Sequence, residues 1–389
     1  MDSLTLQDPH LEPPLRATPP LLLRLLAIAP NRAMPPSSFR GILDEAALHG
    51  LELAFRLTRR ARLPKNALSV KSLAVLSLDF CAVPPWADVA CPCLRTLRLH
   101  QETINKILAS ASCLETLEMV YCAGLGTGRG GGCTVESSSV RNLVFRPTLK
   151  QEQTTIRASG LRTVTLYTGK AKRLDLAPAP EVRKAYLHIA KPSRWQRMEQ
   201  ESPEALQSFR IRPFLDAGVR LDCLTLRGNA TKVLSSEYKD IPKLTVMFED
   251  LRILSVSLDV SSVQESVFLL KLLASCPNLQ KFTVSAAGTD NDEDLPPSTD
   301  YMEMLASISC LTNSLVQFKF LGFKPQKYQE ELMDFLLTRG KKLKNVWVEF
   351  EKSQATAVKR ILSVRSAPIE KTTSTKYKNQ VLVLEFDAS

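Results

Sequence analysis

Apolar residues in this chain fall into one recurring phrase: Leu, two residues, Leu, one residue, Leu. The clearest copy is Leu94-Arg-Thr-Leu97-Arg-Leu99, beside Leu73-Ala-Val-Leu76-Ser-Leu78, Leu114-Glu-Thr-Leu117-Glu-Met119 and Leu221-Asp-Cys-Leu224-Thr-Leu226. The last two apolar positions are two residues apart, so both face one side of a strand. The first lies three residues earlier and anchors the turn into that strand. Eleven copies begin at Leu73, Leu94, Leu114, Val140, Leu161, Val182, Leu221, Leu251, Leu279, Leu315 and Leu343, with Val182/Ala185/Leu187 the weakest.

The copies are separated by 20 to 39 residues, most near the period of leucine-rich repeats. The pattern therefore predicts an α/β fold, a leucine-rich-repeat solenoid or horseshoe. A parallel sheet lines its concave face, and helices or irregular returns lie on the convex face. The ninth position of a phrase, Cys81, Cys122 and Asn229 in three units, is expected to bond backbone groups inside the bend.

Between phrases, helices are expected over Ser37–Gly50, Thr103–Ala109, Val263–Ser275, Tyr301–Ser309 and Tyr328–Thr338, the last closed by Gly340. Leu21–Ile28 and Leu51–Phe55 read as strands, and Val381–Phe386 as a closing edge strand. Ala123–Ser138, residues 188–220 and the acidic Asp290–Thr299 read as insertions, the last a mobile loop. The expected divisions are a Pro-rich disordered segment at 1–36, the repeats at 37–300, and C-terminal repeats with the closing strand at 301–389.

Composition adds a formal net charge of +11, carried in short scattered clusters such as Arg59-Arg60-Ala-Arg62. Clusters of this kind are ordinarily solvated, and no groove-reading motif accompanies them, so nucleic acid is disfavoured as a partner. The nine cysteines fall at repeat positions and not in a disulfide framework, which points to a reducing compartment, cytoplasm or nucleus. Leu21–Ala29 is too short to span a bilayer and is interrupted by Arg24; no membrane association is expected.

Reaction chemistry is not legible. Gly126-Thr-Gly128-Arg-Gly-Gly131 formally fits G-x-G-x-x-G, but a strand phrase follows where a dinucleotide site needs a helix. Cys91-Pro-Cys93 has no second ligand pair at metal-binding spacing, and parallels Cys276-Pro-Asn278. Cys113 and Cys310 read as small buried repeat residues. Four histidines, His10, His49, His100 and His188, offer no base near a nucleophile. No catalytic residue, metal site or cofactor is assigned, and the chain reads as a non-enzyme.

The residues between the inward leucines are more informative. They include Thr116, Glu118 and Val120, and among them the types favoured as interface anchors are Arg98, His100, Arg146, Tyr167, Lys184, Tyr186, His188, Arg227, Lys281 and Trp347. These are the candidate contacts for an unidentified protein partner on the concave face.

Taken together, the runs Leu43-Asp-Glu-Ala-Ala-Leu-His-Gly50, Ser72–Cys81, Ala90–Leu99, Leu108–Glu118 and Cys276–Phe282 resemble the plant F-box/leucine-rich-repeat family. Ser314–Phe323, Glu330–Leu337 and Lys342–Val346 are similar to its C-terminal FBD-type region. The resemblance implies a substrate-recognition subunit of an SCF-type ubiquitin ligase, whose F-box docks on a Skp-type adaptor. Residues 1–40 hold no Leu-Pro phrase leading an Ile/Leu-rich helix. The start is therefore expected to be truncated or divergent, with adaptor binding only if an F-box is supplied elsewhere. The rival reading is a basic nucleic-acid-associated repeat protein.

Overall fold

A computed structural model describes residues 3–6, 25–28, 52–57, 75–78, 93–99, 111–122, 132–147, 153–168, 173–190, 209–217, 220–259, 262–286, 299–324, 327–362, 369–374 and 379–385. The fold is mixed α/β, built on a long and mostly parallel sheet. The chain divides into two compact units, Met1–Ala179 and Pro180–Ser389. The strands Lys281–Ala286 and Gln317–Phe323, on either side of position 300, pair directly.

In the first unit the strands are β1 (Ser3–Leu6), β2 (Leu25–Ile28), β3 (Glu52–Leu57), β4 (Val75–Leu78), β5 (Thr96–Leu99), β6 (Thr116–Cys122), β7 (Gly132–Glu136), β8 (Asn142–Pro147), β9 (Gln153–Arg157), β10 (Thr163–Thr168) and β11 (Arg173–Leu176). Strands β1 to β6, then β8 and β10, pair in parallel in that order. Strands β7, β9 and β11 form a second parallel ladder. The leucines of the phrases are in lateral register, Leu97 beside Leu117 beside Leu143 beside Val164, and all four are fully buried. Val135, Ile156, Leu174 and Leu176 of the smaller ladder are buried as well.

The second unit runs β12 (Lys184–Ile189), β13 (Phe209–Arg210), α1 (Arg212–Ala217), β14 (Cys223–Gly228), α2 (Ala230–Glu237), β15 (Ile253–Leu258), α3 (Val263–Ala274), β16 (Lys281–Ala286), α4 (Thr299–Ser307), α5 (Ser309–Asn313), β17 (Gln317–Phe323), α6 (Lys327–Arg339), β18 (Asn345–Glu351), a 3-10 turn (Lys352–Gln354), α7 (Ala355–Leu362), β19 (Ile369–Ser374) and β20 (Asn379–Glu385). Strands β12, β14, β15, β16, β17 and β18 are parallel neighbours. The closing strand β20 runs antiparallel to β18, but β19 pairs beyond it, so β20 is not itself the edge.

One backbone arrangement repeats through both units. The carbonyl of a phrase's second residue accepts the N–H groups of the second and third residues of the next phrase, eight times among the described residues, at 2.7–3.2 Å. Arg95 thus receives Glu115 and Thr116; Arg252 receives Gln280 and Lys281. The first apolar residue closes a turn on the carbonyl three residues before it: Leu114 on Ala111, Leu161 on Ala158, Leu251 on Phe248, Leu279 on Cys276. An arginine at the second position also reaches the next turn, Arg141 Nη1 to the Gly160 carbonyl at 2.9 Å and Arg252 Nη1 to the Asn278 carbonyl at 3.1 Å.

Among the described residues, the returns after the copies at Leu114, Val140 and Leu161, where 21 to 26 residues separate the copies, contain a strand, β7, β9 or β11, in place of the expected helix or irregular return. With 28 or more, in the second unit, the return contains a helix. A strand advances about 3.3 Å per residue and a helix about 1.5 Å, so a helix needs twice the chain to cover the same distance. The stretch Ala123–Ser138, expected as an insertion, therefore contributes a return strand at Gly132–Glu136. Leu25–Ile28 is a strand within the expected strand Leu21–Ile28, and a further strand, Ser3–Leu6, lies in the Pro-rich segment before it. Leucine-rich tetrads there supply apolar positions that Pro content obscures.

The helix of Val263–Ala274 starts on Ser262, whose hydroxyl accepts the Glu265 N–H, while the Glu265 carboxylate accepts the Asp259 N–H. The serine half is that of a capping box, while the glutamate reaches past the cap to Asp259 and the Ser262 N–H donates to the Asp259 carbonyl. Lys271, the charge within that apolar run, donates to the carbonyls of Tyr238 and Ile241 at the end of α2. The expected helix at Tyr301–Ser309 is two helices, α4 and α5. That of Tyr328–Thr338 runs Lys327–Arg339 and is closed by the Gly340 N–H on Leu336. The helices expected at Ser37–Gly50 and Thr103–Ala109 and the loop Asp290–Pro297 lie outside the described residues.

Of the expected bend positions, Asn229 differs from expectation, and Cys81 lies outside the described residues. Asn229 makes no side-chain capping bond to α2; its backbone N–H donates to Ile189 and its carbonyl accepts Val233. Gly228, just before it, has φ +62°, and a Cβ there would collide with the Ile189 carbonyl. Replacing Gly228 with Ala is predicted to destabilise the protein by about 1–3 kcal/mol, read as a lowered urea midpoint. An unchanged midpoint would contradict the close approach of β12 to this bend.

Candidate partner-binding face

Strand alternation divides each phrase into buried and solvent-facing positions. In the second unit the buried rows are Ala185, Leu224, Leu254, Phe282, Phe318 and Val346, then Leu187, Leu226, Val256, Val284, Phe320 and Val348. Lys184, Cys223, Ile253, Lys281, Gln317 and Asn345 make one row of the other face. Tyr186, Thr225, Ser255, Thr283, Lys319 and Trp347 make the next. Because register is exact between neighbours, residues on six separate phrases line up across the sheet.

Within the first unit, Arg98 lies in β5, opposite Ser77 and Glu118. His100 lies outside the described residues. Arg146, exposed at the end of β8, sits 4.2 Å over the ring of half-buried Tyr167. Val120 keeps its place in the row of Arg146 but is buried there, next to a register irregularity between Val120 and Cys122.

Within the second unit, Lys184, Tyr186 and His188 occupy alternate positions of β12, and His188 pairs with Arg227 on β14. Arg227 Nη1 is 3.5 Å from the Ser257 hydroxyl. Burial, then the charge of Arg227, holds the His188 imidazole below its usual pKa of 6.5. Lys281 is exposed on β16. Trp347 is met by the Lys319 ammonium, 4.6 Å from its ring centroid, a favourable cation–π contact. Lys319 is a contact that anchor-type counting passed over. Its signal is the alternation Gln317-Phe318-Lys319-Phe320, the same phrase as its neighbours.

The thiols divide by turn position. Cys276 and Cys310 are buried, bonded through Sγ to the carbonyls of Leu272 and Leu273. Burial pushes the Cys276 thiol well up and that of Cys310 up to about 12, so neither supplies a thiolate at neutral pH. Cys113, expected to be buried, is exposed: Ala111 occupies the buried turn position, and Cys113 is the residue that points away. Cys93 stands at the matching place in its own phrase and is exposed too. Among the described residues no group of His, Cys, Asp and Glu is arranged to hold a metal ion, and no helix is long and apolar enough to cross a membrane.

No family model matches the chain, and no curated protein matches it.

Arg227→Ala removes one of the two causes that depress His188, and the imidazole pKa is predicted to rise toward 6.5 in an NMR titration. Because the folded pKa is depressed, the neutral ring's contribution to stability is complete above pH 6.5 and is lost as pH falls through the folded value. That acid-side loss shrinks in the variant. A pKa unchanged by the substitution would contradict the His188–Arg227 register.

Proposed function

We propose that the chain is a non-catalytic leucine-rich-repeat solenoid whose solvent-facing sheet surface binds a protein partner. The observation that carries this reading is the lateral register. One phrase, repeated with the same carbonyl-to-two-N–H connection, sets Lys184, Tyr186, Arg227, Lys281, Lys319 and Trp347 on a single face. Rows of Lys, Arg, Tyr and Trp without an accompanying nucleophile suit recognition more than reaction. The resemblance to plant F-box/leucine-rich-repeat proteins extends the reading to the substrate-recognition part of an SCF-type ubiquitin ligase, acting in cytoplasm or nucleus. On that reading a Skp-type adaptor joins only where an F-box is supplied.

The net charge of +11 supports the rival, a basic nucleic-acid-associated protein. Nucleic-acid affinity falls steeply with salt, whereas a folded-protein interface responds less.

A photo-crosslinking residue at Thr283, on the sheet face, is predicted to capture a defined protein in cells, while the same residue at Thr338 on α6 does not. Capture from Thr338 alone, or equally from both, would place the interaction on the helices and overturn the proposal.

A further inference from the structure

The solvent-facing positions of β12, β14, β15, β16 and β17 carry four cations, Lys184, Arg227, Lys281 and Lys319, and no carboxylate. The whole chain has 51 Lys and Arg against 40 Asp and Glu, so this one-sided charge is a property of the face and not of the composition. Carboxylates reappear past β17, as Glu349 and Glu351 on β18 and as Glu385 on β20, the register partner of Asn345. Lys184, Lys281 and Lys319 are exposed.

Spacing describes the ligand further. Lys184 and Lys281 share a row three strands apart, about 14 Å at the usual 4.8 Å between strands. Tyr186 and Trp347 end the adjacent row, five strand spacings apart, about 24 Å, which roughly seven residues of extended chain would cover. Between them lie the hydroxyls of Thr225, Ser255 and Thr283, and the Ser255 hydroxyl oxygen is buried without a hydrogen-bond partner.

Resting on the reading that this face binds a protein, we propose that its ligand is an extended, acidic peptide segment of the partner, laid across the strands along the Tyr186–Trp347 row. Its carboxylates meet Lys184, Lys281, Lys319 and Arg227, and its backbone meets the hydroxyls of Thr225 and Thr283. A nucleic acid fits less well. Three of the four cations are lysines, and the two rings stand at opposite ends of the row instead of at the spacing of stacked bases. The Trp347 ring also has the Lys319 ammonium beside it already.

The test uses the full chain and fluorescein-labelled ligands of equal length: an Asp/Glu-rich peptide, a Lys-rich peptide and a single-stranded oligonucleotide, followed by anisotropy. Two variants with the same change in net charge are compared. K184E/K281E/K319E reverses the face, and K232E/K341E/K359E reverses three exposed lysines away from it. The native chain is expected to bind the acidic peptide and not the basic one. The face variant is expected to bind it about tenfold or more weakly, with less than threefold change in the control. All substituted lysines are exposed, and thermal unfolding checks that both variants fold. Equal loss in the two variants, no binding of the acidic peptide by the native chain, or tighter, equally face-dependent binding of the oligonucleotide would each overturn the proposal. A segment captured from Thr283 that proves neutral or basic overturns the acidic ligand while leaving the protein-binding face intact; capture only from Thr338 removes the face itself.

Discussion

The structure depends on a single carbonyl in each phrase. Its oxygen takes two N–H groups of the next phrase, so each strand enters the sheet at the same point as its predecessor. A one-residue slip in a strand would exchange its two faces and send every leucine to solvent. The double acceptor guards against that slip at the strand's first residue, before the ladder begins. The turn closed on the first apolar residue fixes the approach from the other side. Arginines at the second position add a side-chain bond to the following turn in Arg141 and Arg252. Local turn, backbone bridge and buried leucines thus agree on one register.

That register has a functional consequence. If leucines must stack on one side, the intervening residues must stack on the other, whatever they are. The chain is free to vary them without cost to the core, and it has placed lysines, hydroxyls and rings there. The helix side shows the opposite economy: Lys271, Glu265 and Ser262 are polar residues that satisfy backbone groups at helix ends. Charge inside the helical layer closes the structure, while charge on the sheet face remains accessible to a ligand.

The phrase was legible in the sequence because its period of two is a direct property of strands. Leu94, Leu117 and Leu224 could be assigned to the core from spacing alone, and Lys184, Tyr186 and Lys281 to the opposite face by alternation. The returns were not legible in the same way. Thr154, Thr155 and Ile156 are all buried in β9, without alternation, and nothing in that run separates a return strand from an irregular segment. Bend chemistry was also hidden. Asn229 holds its bend through its backbone, and the glycine at 228 does the conformational work. Cys113 and Cys276 are both cysteines near a phrase start, but one turn position faces the core and the other faces water. The lysine over Trp347 required register between β17 and β18, which pairing supplies and composition does not.

Amide hydrogen exchange resolved to single residues tests the repeated bridge most directly. The second and third N–H groups of each phrase, such as Glu115 and Thr116, Arg141 and Asn142, or Gln280 and Lys281, are predicted to exchange slowly as pairs, at rates close to those of the adjoining strand. If the second-position amides exchange at the rate of open loops while the strands stay protected, the carbonyl bridge does not set the register, and the alignment of residues on the sheet face loses its cause.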